Sequence, residues 1–598
     1  MATPTPGKHA PAPVPAQVVA TPPVSTPFNH HPAFSPLMAG GMGAGGRGDE
    51  EERRRKLGVV VEILKGNKGR LSEAGMERLA RRVGLECLWE TNMGSGSGAG
   101  TRTLIIAGSA LALDIDFSNN VVKKVALSFP ESPEIVTRHT EKAGDILLKD
   151  LEFGPGEGPL TKMLDRFAAN LERLAQLDKL SIIPGLNCYE AISGVYESLE
   201  KLHVWEVEKL KEQSDLARKD TKYIERTAMC TKSGKPLMHT RDRLGLSIDY
   251  WQNKRRIAAK LKEEPKTWSL LVECAPLSNP LFPPLRVSQK WISPNIEKSG
   301  QLFLDATYGP ILDWLEPENA ILPATETAKS DAMEGIEHSS GQKVSEVMFV
   351  AKFDPPLIVP IGLAMQIYNS TNAHLDIMYQ TSTFDGLMFP HGPNEPVEPS
   401  EARTIETETK VPIFDSNGEK SMETHRNTLL IEKIDYGRTL TELPFSHPRQ
   451  LIEMLPYLRQ YAFLSTVLSK TFGAGTKPAP KEENKRPKKS KRDAFEDFMS
   501  QTSPPTVFKE KPFKMDVTLT TQPILRLRVV FPFRKETADV TFDIKLNGVV
   551  EVASQNVLHE EANGKGKGKA LNVAGLGRML EVTEDLGIWV EFVKRRLG

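Results

Sequence analysis

The residues with the most evident chemical capacity are cations. Lys481-Glu-Glu-Asn-Lys485-Arg486-Pro-Lys488-Lys489-Ser-Lys491-Arg492 packs seven of them into twelve residues. Extended Lys and Arg side chains at this density suit the acidic groove of a nuclear import receptor. Lys485, Arg486, Lys488, Lys489, Lys491 and Arg492 are therefore the candidate import signal. The competing accounts are a solvated charge run or a weak nucleic-acid contact. Gly564-Lys-Gly-Lys-Gly-Lys569 is a second basic loop, too regular to cradle a phosphate.

Catalysis would need a nucleophile with its base, a metal set or a phosphate loop. No GxxxxGK[ST], GxSxG, HExxH or CxxC occurs. Gly94-Ser-Gly-Ser-Gly-Ala-Gly100 lacks a closing Gly-Lys-Ser/Thr; placed between a helix-like and a strand-like segment, it reads as a linker. Asp114 and Asp116 share a strand face but have no histidine or third carboxylate nearby, so they read as a solvated face. His559-Glu560-Glu561 lacks the second histidine a metal would require. His139 reads as a core residue. Cys87, Cys188, Cys230 and Cys274 are too far apart for a disulfide framework or a CxxC zinc site, which points to a reducing compartment. No catalytic residue, cofactor or metal is assigned. An enzyme with a dispersed site is the weakest alternative reading.

These motifs sit in a chain of 598 residues whose 77 Lys+Arg balance 77 Asp+Glu. Zero net charge argues against coating nucleic acid, which needs surplus cations. A nuclear protein touching DNA or RNA through 481–492 and 564–569 stays the runner-up. A hydrophobic content of 39% fits folded parts diluted by polar linkers. No secretory signal is expected, and Pro355–His374, though uncharged, reads as buried strands rather than a membrane span.

The expected class is α+β. Residues 1–48 contain ten Pro, seven Gly and eight Ala, and are expected to form a disordered tail. Region 49–215 is expected to be helical with one β-hairpin. Leu57, Val60, Val61 and Leu64 predict a first helix, and Ser72 caps a second. Leu111, Leu113, Ile115 and Phe117 alternate, as do Val125, Leu127 and Phe129, around an Asn119-Asn120 turn. Three helices are predicted to open at Ser132-Pro133, Pro159 and Asn187.

Region 220–472 is expected to be β-rich. Trp268–Ala275, Val347–Phe353, Ile358–Ile367 and Thr428–Ile434 are its strand candidates, 324–345 and 391–410 its surface loops. It closes with a helix from Ser446 to about Lys470, containing Pro456. Residues 473–512 are expected to be a disordered basic linker. Region 513–598 is expected to hold strands, an Asn547-Gly548 hairpin turn and a terminal helix. Whether 220–445 and 513–598 form one β-rich body or two stays open.

Asp114–Phe129, the helix leading to Leu151-Glu-Phe-Gly154, and Pro159–Leu174 resemble the Mediator subunit 1 family, most closely its fungal members. The resemblance spans about 50–210 most strongly and extends to about 470. It implies a nuclear, non-enzymatic subunit of the Mediator middle module, bridging gene-specific regulators to RNA polymerase II. The implied partners are other Mediator subunits, transcription activators and, indirectly, the polymerase, with no membrane. Animal members dock hormone receptors through LxxLL boxes. Here Gly144, Thr267 and Arg426 stand three before each Leu-Leu pair, so that docking is not carried over. Leu451-Ile-Glu-Met-Leu455 is a near miss that reads as core.

Overall fold

The computed structural model describes residues 46–92, 101–118, 121–158, 160–182, 186–253, 266–277, 279–280, 282–298, 311–318, 321–322, 343–373, 382–391, 403–414, 420–473, 512–558 and 571–597. The chain separates into two units, one ending at Asn67 and one beginning at Lys68.

The first unit contains α1 (Gly46–Gly66), which starts inside the stretch expected to be tail. Its charged half makes the i,i+4 pair Lys56–Glu52 at 2.8 Å. Leu57, Val59, Val60, Val61 and Ile63 are 38–65% exposed.

The second unit opens with α2 (Glu73–Val83). Ser72 Oγ accepts the Gly75 N–H at 3.0 Å, and Gly84 closes the helix at φ 91°. Four strands then form an antiparallel meander: β1 (Glu86–Asn92), β2 (Thr101–Ala107), β3 (Ala112–Ser118) and β4 (Val121–Ser128). The expected hairpin is β3–β4. The structure adds β1 and β2, correcting the helix-like reading before Gly94: Asn92 pairs with Thr101, so the glycines connect two strands. Residues 93–100 and the Asn119-Asn120 turn lie outside the described residues. Alternation puts Leu104, Ile106, Leu113, Ile115, Phe117 and Leu127 into one buried core with Met76 and Leu79 of α2.

Three helix predictions are adjusted. The helix at Ser132-Pro133 is two, α3 (Glu134–Thr137) and α4 (Thr140–Leu151), with Pro133 as N-cap and a break at His139. The helix expected from Pro159 is α5 (Asp165–Leu180). Its apparent first turn serves the chain before α2: Leu71 N–H donates to Lys162 O at 2.9 Å, and Leu164 N–H to Gly69 O at 3.0 Å. Leu160 is consequently 78% exposed. Helix α6 (Cys188–Glu212) starts as predicted, Asn187 Oδ1 accepting the Glu190 N–H at 3.1 Å. Gly194 is required there, because a Cβ would stand 1.9 Å from Ser288 O. Helix α7 (Thr221–Thr231) follows.

The remaining chain builds two sheets. Strands β5 (Lys235–Thr240), β6 (Arg243–Gln252) and β7 (Thr267–Pro276) are consecutive. The short pairs β8 (Ile292–Glu297) with β9 (Leu312–Trp314), and β10 (Ile321–Leu322) with β11 (Lys343–Val344), precede β12 (Val347–Pro360). Pro355–His374 reads out as strand only in its first part: Pro355–Pro360 end β12, whereas Ile361–Ser370 is helix α8, with Pro360 at its N-cap. After α9 (Phe384–Met388) come β13 (Arg403–Phe414), β14 (Lys420–Ile431) and β15 (Gly437–Phe445). Strand β13 corrects the loop expected to reach 410; it pairs along its whole length with β14, Arg403 opposite Ile431. Helix α10 (Pro448–Phe472) runs through Pro456. Its N-cap is His447 rather than Ser446, within a capping box made with Gln450.

Strands β16 (Phe513–Thr520), β17 (Arg526–Phe533), β18 (Glu536–Ile544) and β19 (Val550–Gln555) follow. Asn547 (φ 60°) and Gly548 (φ 67°) make the predicted tight turn between β18 and β19. The terminal helix is two, α11 (Val573–Thr583) and α12 (Leu586–Leu597), separated by Glu584 at φ 48°.

One sheet has the order β15-β12-β7-β6-β5 and the other β13-β14-β16-β17-β18-β19. In the second, β14 pairs with β16 in parallel, Leu429 opposite Val517, so strands from both sides of the basic linker share a ladder. The two β-rich regions are therefore one body, and a single core extends from Leu186 to Val593. Arg459 of α10 lies fully buried within it. It donates to the carbonyls of Tyr250 at 3.0 Å, Met229 at 3.0 Å and Lys232, and to Asn547 Oδ1 at 2.8 Å. One guanidinium thus ties together α7, β6, α10 and the β18–β19 turn. The fold is α+β, and among the described residues no helix is long and apolar enough to cross a membrane.

Candidate functional site

The candidate import residues Lys485, Arg486, Lys488, Lys489, Lys491 and Arg492 lie outside the described residues, as do Gly564–Lys569 and His559–Glu561. Asp116 accepts from Thr103 Oγ1 at 2.7 Å, and burial, then Asp116 and Glu90, raise the Asp114 carboxyl above the usual range. Leu451, Met454 and Leu455 are 0–3% exposed and form core, as read from the sequence. None of the four cysteines is in a disulfide. Buried Cys188 and Cys274 hydrogen-bond to each other, which lowers the first thiol and raises the second.

A concavity of about 620 Å3 opens where α5 and the start of α6 cross strands β5–β7. Strand register builds its floor. Ser247 stands opposite Leu271 and Asp249 opposite Ser269, so alternation sends these residues and Glu273 to one face. The β5–β6 turn supplies Arg241 and Arg243, held by three residues at positive φ: His239, Arg241 and Asp242. Arg241 Nη2 lies 2.5 Å from Asp249 and 2.8 Å from Ser269 Oγ, and Arg243 pairs with Asp354 at 2.6 Å. The roof is apolar, with Phe129, Val136, Leu174, Leu177, Tyr189 and Ile192.

Two imidazoles line the cavity 6.5 Å apart. His239 Nδ1 accepts the Gly245 N–H at 3.1 Å, and burial, with His139 and Lys142 nearby, pushes the ring down to about 3. His139 packs edge-on to Tyr196 and is lowered by burial, and its Nε2 has no hydrogen-bond partner among the described residues. The sequence reading of His139 as a satisfied core residue is thus half right. Neither ring bonds a hydroxyl or thiol of the cavity, so the arrangement offers recognition by charge and apolar contact rather than an activated nucleophile. Sequence reasoning missed this site. Its polar residues come from α5, β6, β7 and β12, and the one local signal is the polar Arg241-Asp242-Arg243 turn.

A second cluster has metal-ligand chemistry. Glu423, His425 and Glu591 bring their donor atoms within 4.8 Å of one another. His425 Nε2 is 2.8 Å from Glu591, whose carboxyl is raised by burial but held below the usual range by hydrogen bonds from His425 and Lys594. The Lys594 ammonium lies 2.7 Å from Glu591 and 3.6 Å from Glu423. It already supplies the cation that two carboxylates require.

A sequence comparison against curated proteins gives no match. The sequence model of the family described as Mediator of RNA polymerase II transcription subunit 1 matches residues 59–473, from α1 to the end of α10. More than half of the chain lies inside that match, and the protein therefore belongs to the Mediator subunit 1 family, a non-enzymatic component of the transcription coactivator complex.

Proposed function

We propose that this protein works by binding, in the nucleus, as a middle-module subunit that connects transcription activators to RNA polymerase II. Family membership over 59–473 is the observation that carries the reading. It lends nothing to the alternatives of a DNA- or RNA-binding protein or an enzyme with a dispersed site. Hormone-receptor docking through an LxxLL box is not part of the proposal, because the nearest sequence, Leu451–Leu455, is core. A neighbouring subunit has apolar residues to cover on α1, where Leu57 and Ile63 are 63% and 65% exposed.

Affinity purification of the tagged full chain from nuclear extract tests the reading. Mediator subunits should co-purify; recovery without Mediator or polymerase components would overturn it. Nuclear entry is assigned to Lys485, Arg486, Lys488, Lys489, Lys491 and Arg492. Fragment 474–512 should concentrate a fluorescent reporter in the nucleus, and the six alanine substitutions should spread it evenly. An evenly spread wild-type fragment would show that the cluster is an ordinary charge run.

A further inference from the structure

The cavity between α5 and the five-stranded sheet has a content that complex membership does not use. A volume of about 620 Å3 is that of pockets enclosing drug-sized molecules. One wall is hydrocarbon and aromatic, formed by Leu174, Leu177, Phe129 and Tyr189, while the other carries three guanidiniums and three carboxylates. Walls of two kinds select an amphipathic molecule.

The sign of its polar group follows from who is paired with whom. Asp249 holds Arg241, and Asp354 holds Arg243. Glu273 is taken by Lys352 at 2.5 Å. That leaves Arg173 Nε 3.9 Å from Glu273, beyond hydrogen-bond reach. Arg173 instead donates to the neutral Asn170 Oδ1 at 3.0 Å. Arg173 is therefore the lining guanidinium that a carboxylate holds most loosely. His139 Nε2, buried on the same lining and without a hydrogen-bond partner among the described residues, adds a polar atom that a ligand would satisfy.

We propose that this cavity binds an amphipathic organic anion, a carboxylate on a medium-length hydrocarbon chain, with its head on Arg173 and its chain against Leu174, Leu177 and Tyr189. A guanidinium meets a carboxylate through paired N–H donors, and the apolar wall removes the chain from water. Charge and chain are both needed. The site would therefore discriminate against an uncharged alcohol of the same length.

The test titrates the purified full chain calorimetrically with decanoate below its micellar concentration, with decanol, and with phosphatidylcholine vesicles carrying decanoate. Decanoate should saturate one site at least tenfold more tightly than decanol. Arg173→Gln should weaken decanoate at least tenfold, and Ser193→Trp, which places an indole in the cavity, should abolish binding. Circular dichroism checks that each variant is folded; should either fail to fold, the decanoate-to-decanol ratio of the unaltered chain still decides. No saturable binding, equal affinity for decanol, an unchanged folded Arg173→Gln variant, or binding to vesicles alone would each overturn the proposal.

Discussion

The β1–β4 meander and the larger body beyond Leu186 bury the same kinds of side chain, yet they recruit them over different distances. In the meander every strand pairs with its neighbour in sequence, Leu88 with Ile105, Ile106 with Leu113, Leu113 with Leu127. In the larger body β12 is flanked by β7 and β15, Leu271 opposite Lys352 and Leu443 opposite Ala351. There β14 finds β16 in parallel across the basic linker. Closing short loops costs little chain entropy, whereas non-local pairing must assemble before burial offsets the loss. The first region can thus rest on local alternation, while the second needs devices that hold distant segments together. Arg459 is such a device, since its guanidinium satisfies three backbone carbonyls from two separate segments.

The largest expected effect tests that device. Arg459→Met should destabilise the larger body by about 3–5 kcal/mol, because the carbonyls and Asn547 lose their donor in a dry interior. Hydrogen exchange should show amides of β6, β18 and β19 losing protection while those of β2 and β3 keep theirs. Equal loss in both regions would mean that they unfold as one unit and that the contrast drawn here has no energetic counterpart.

Next in size are paired core truncations. Leu113→Ala and Leu527→Ala, both at fully buried positions, should each cost about 2–5 kcal/mol in urea unfolding. Refolding kinetics should separate them, with Leu113→Ala slowing an early phase and Leu527→Ala acting on a later one. Identical kinetic signatures would remove the argument from contact distance.

A smaller effect separates the regions by pH. Glu206, in the larger body, accepts from Ser233 N–H at 3.1 Å, and burial pushes it up to about 6. The stability it contributes is present below its unfolded value near 4.5 and is lost as pH rises through 6, about 2 kcal/mol in all. His239, where the regions meet, has the opposite sign. Held down at about 3, it contributes fully above its unfolded value near 6.5 and loses about 2 kcal/mol between pH 7 and 5. Relative to the unaltered chain, Glu206→Gln should be less stable at pH 5 than at pH 7, and His239→Asn should shift the other way. Urea midpoints at the two pH values measure both, and parallel shifts in the two variants would refute the assignment.

The smallest effect concerns the meander. Asp114 is raised by burial and faces Asp116 and Glu90. Asp114→Asn should stabilise the chain at pH 7 by no more than ~0.5 kcal/mol, seen as a slight rise in Tm.

What the sequence determined by itself was everything whose cause lies within a few residues. The caps at Ser72 and Asn187, the Asn547-Gly548 turn and the alternation of β3 with β4 are local chemistry, so they were legible. Mistakes arose where an apolar run suits more than one partner. Ile361–Ile367 reads as strand by composition but turns helical after Pro360, and 403–410 looks like a polar loop until β14 supplies its ladder. Leu160 fits a helical spacing, yet its segment is needed by the backbone before α2. The cavity was the least legible feature, because Arg173, Arg241, Glu273 and Asp354 belong to four segments with no shared motif. Only tertiary structure decides which charges pair and which stay half-used. Charge pairing depends on distances of a few ångströms between residues up to two hundred positions apart, and side-chain periodicity carries no record of them.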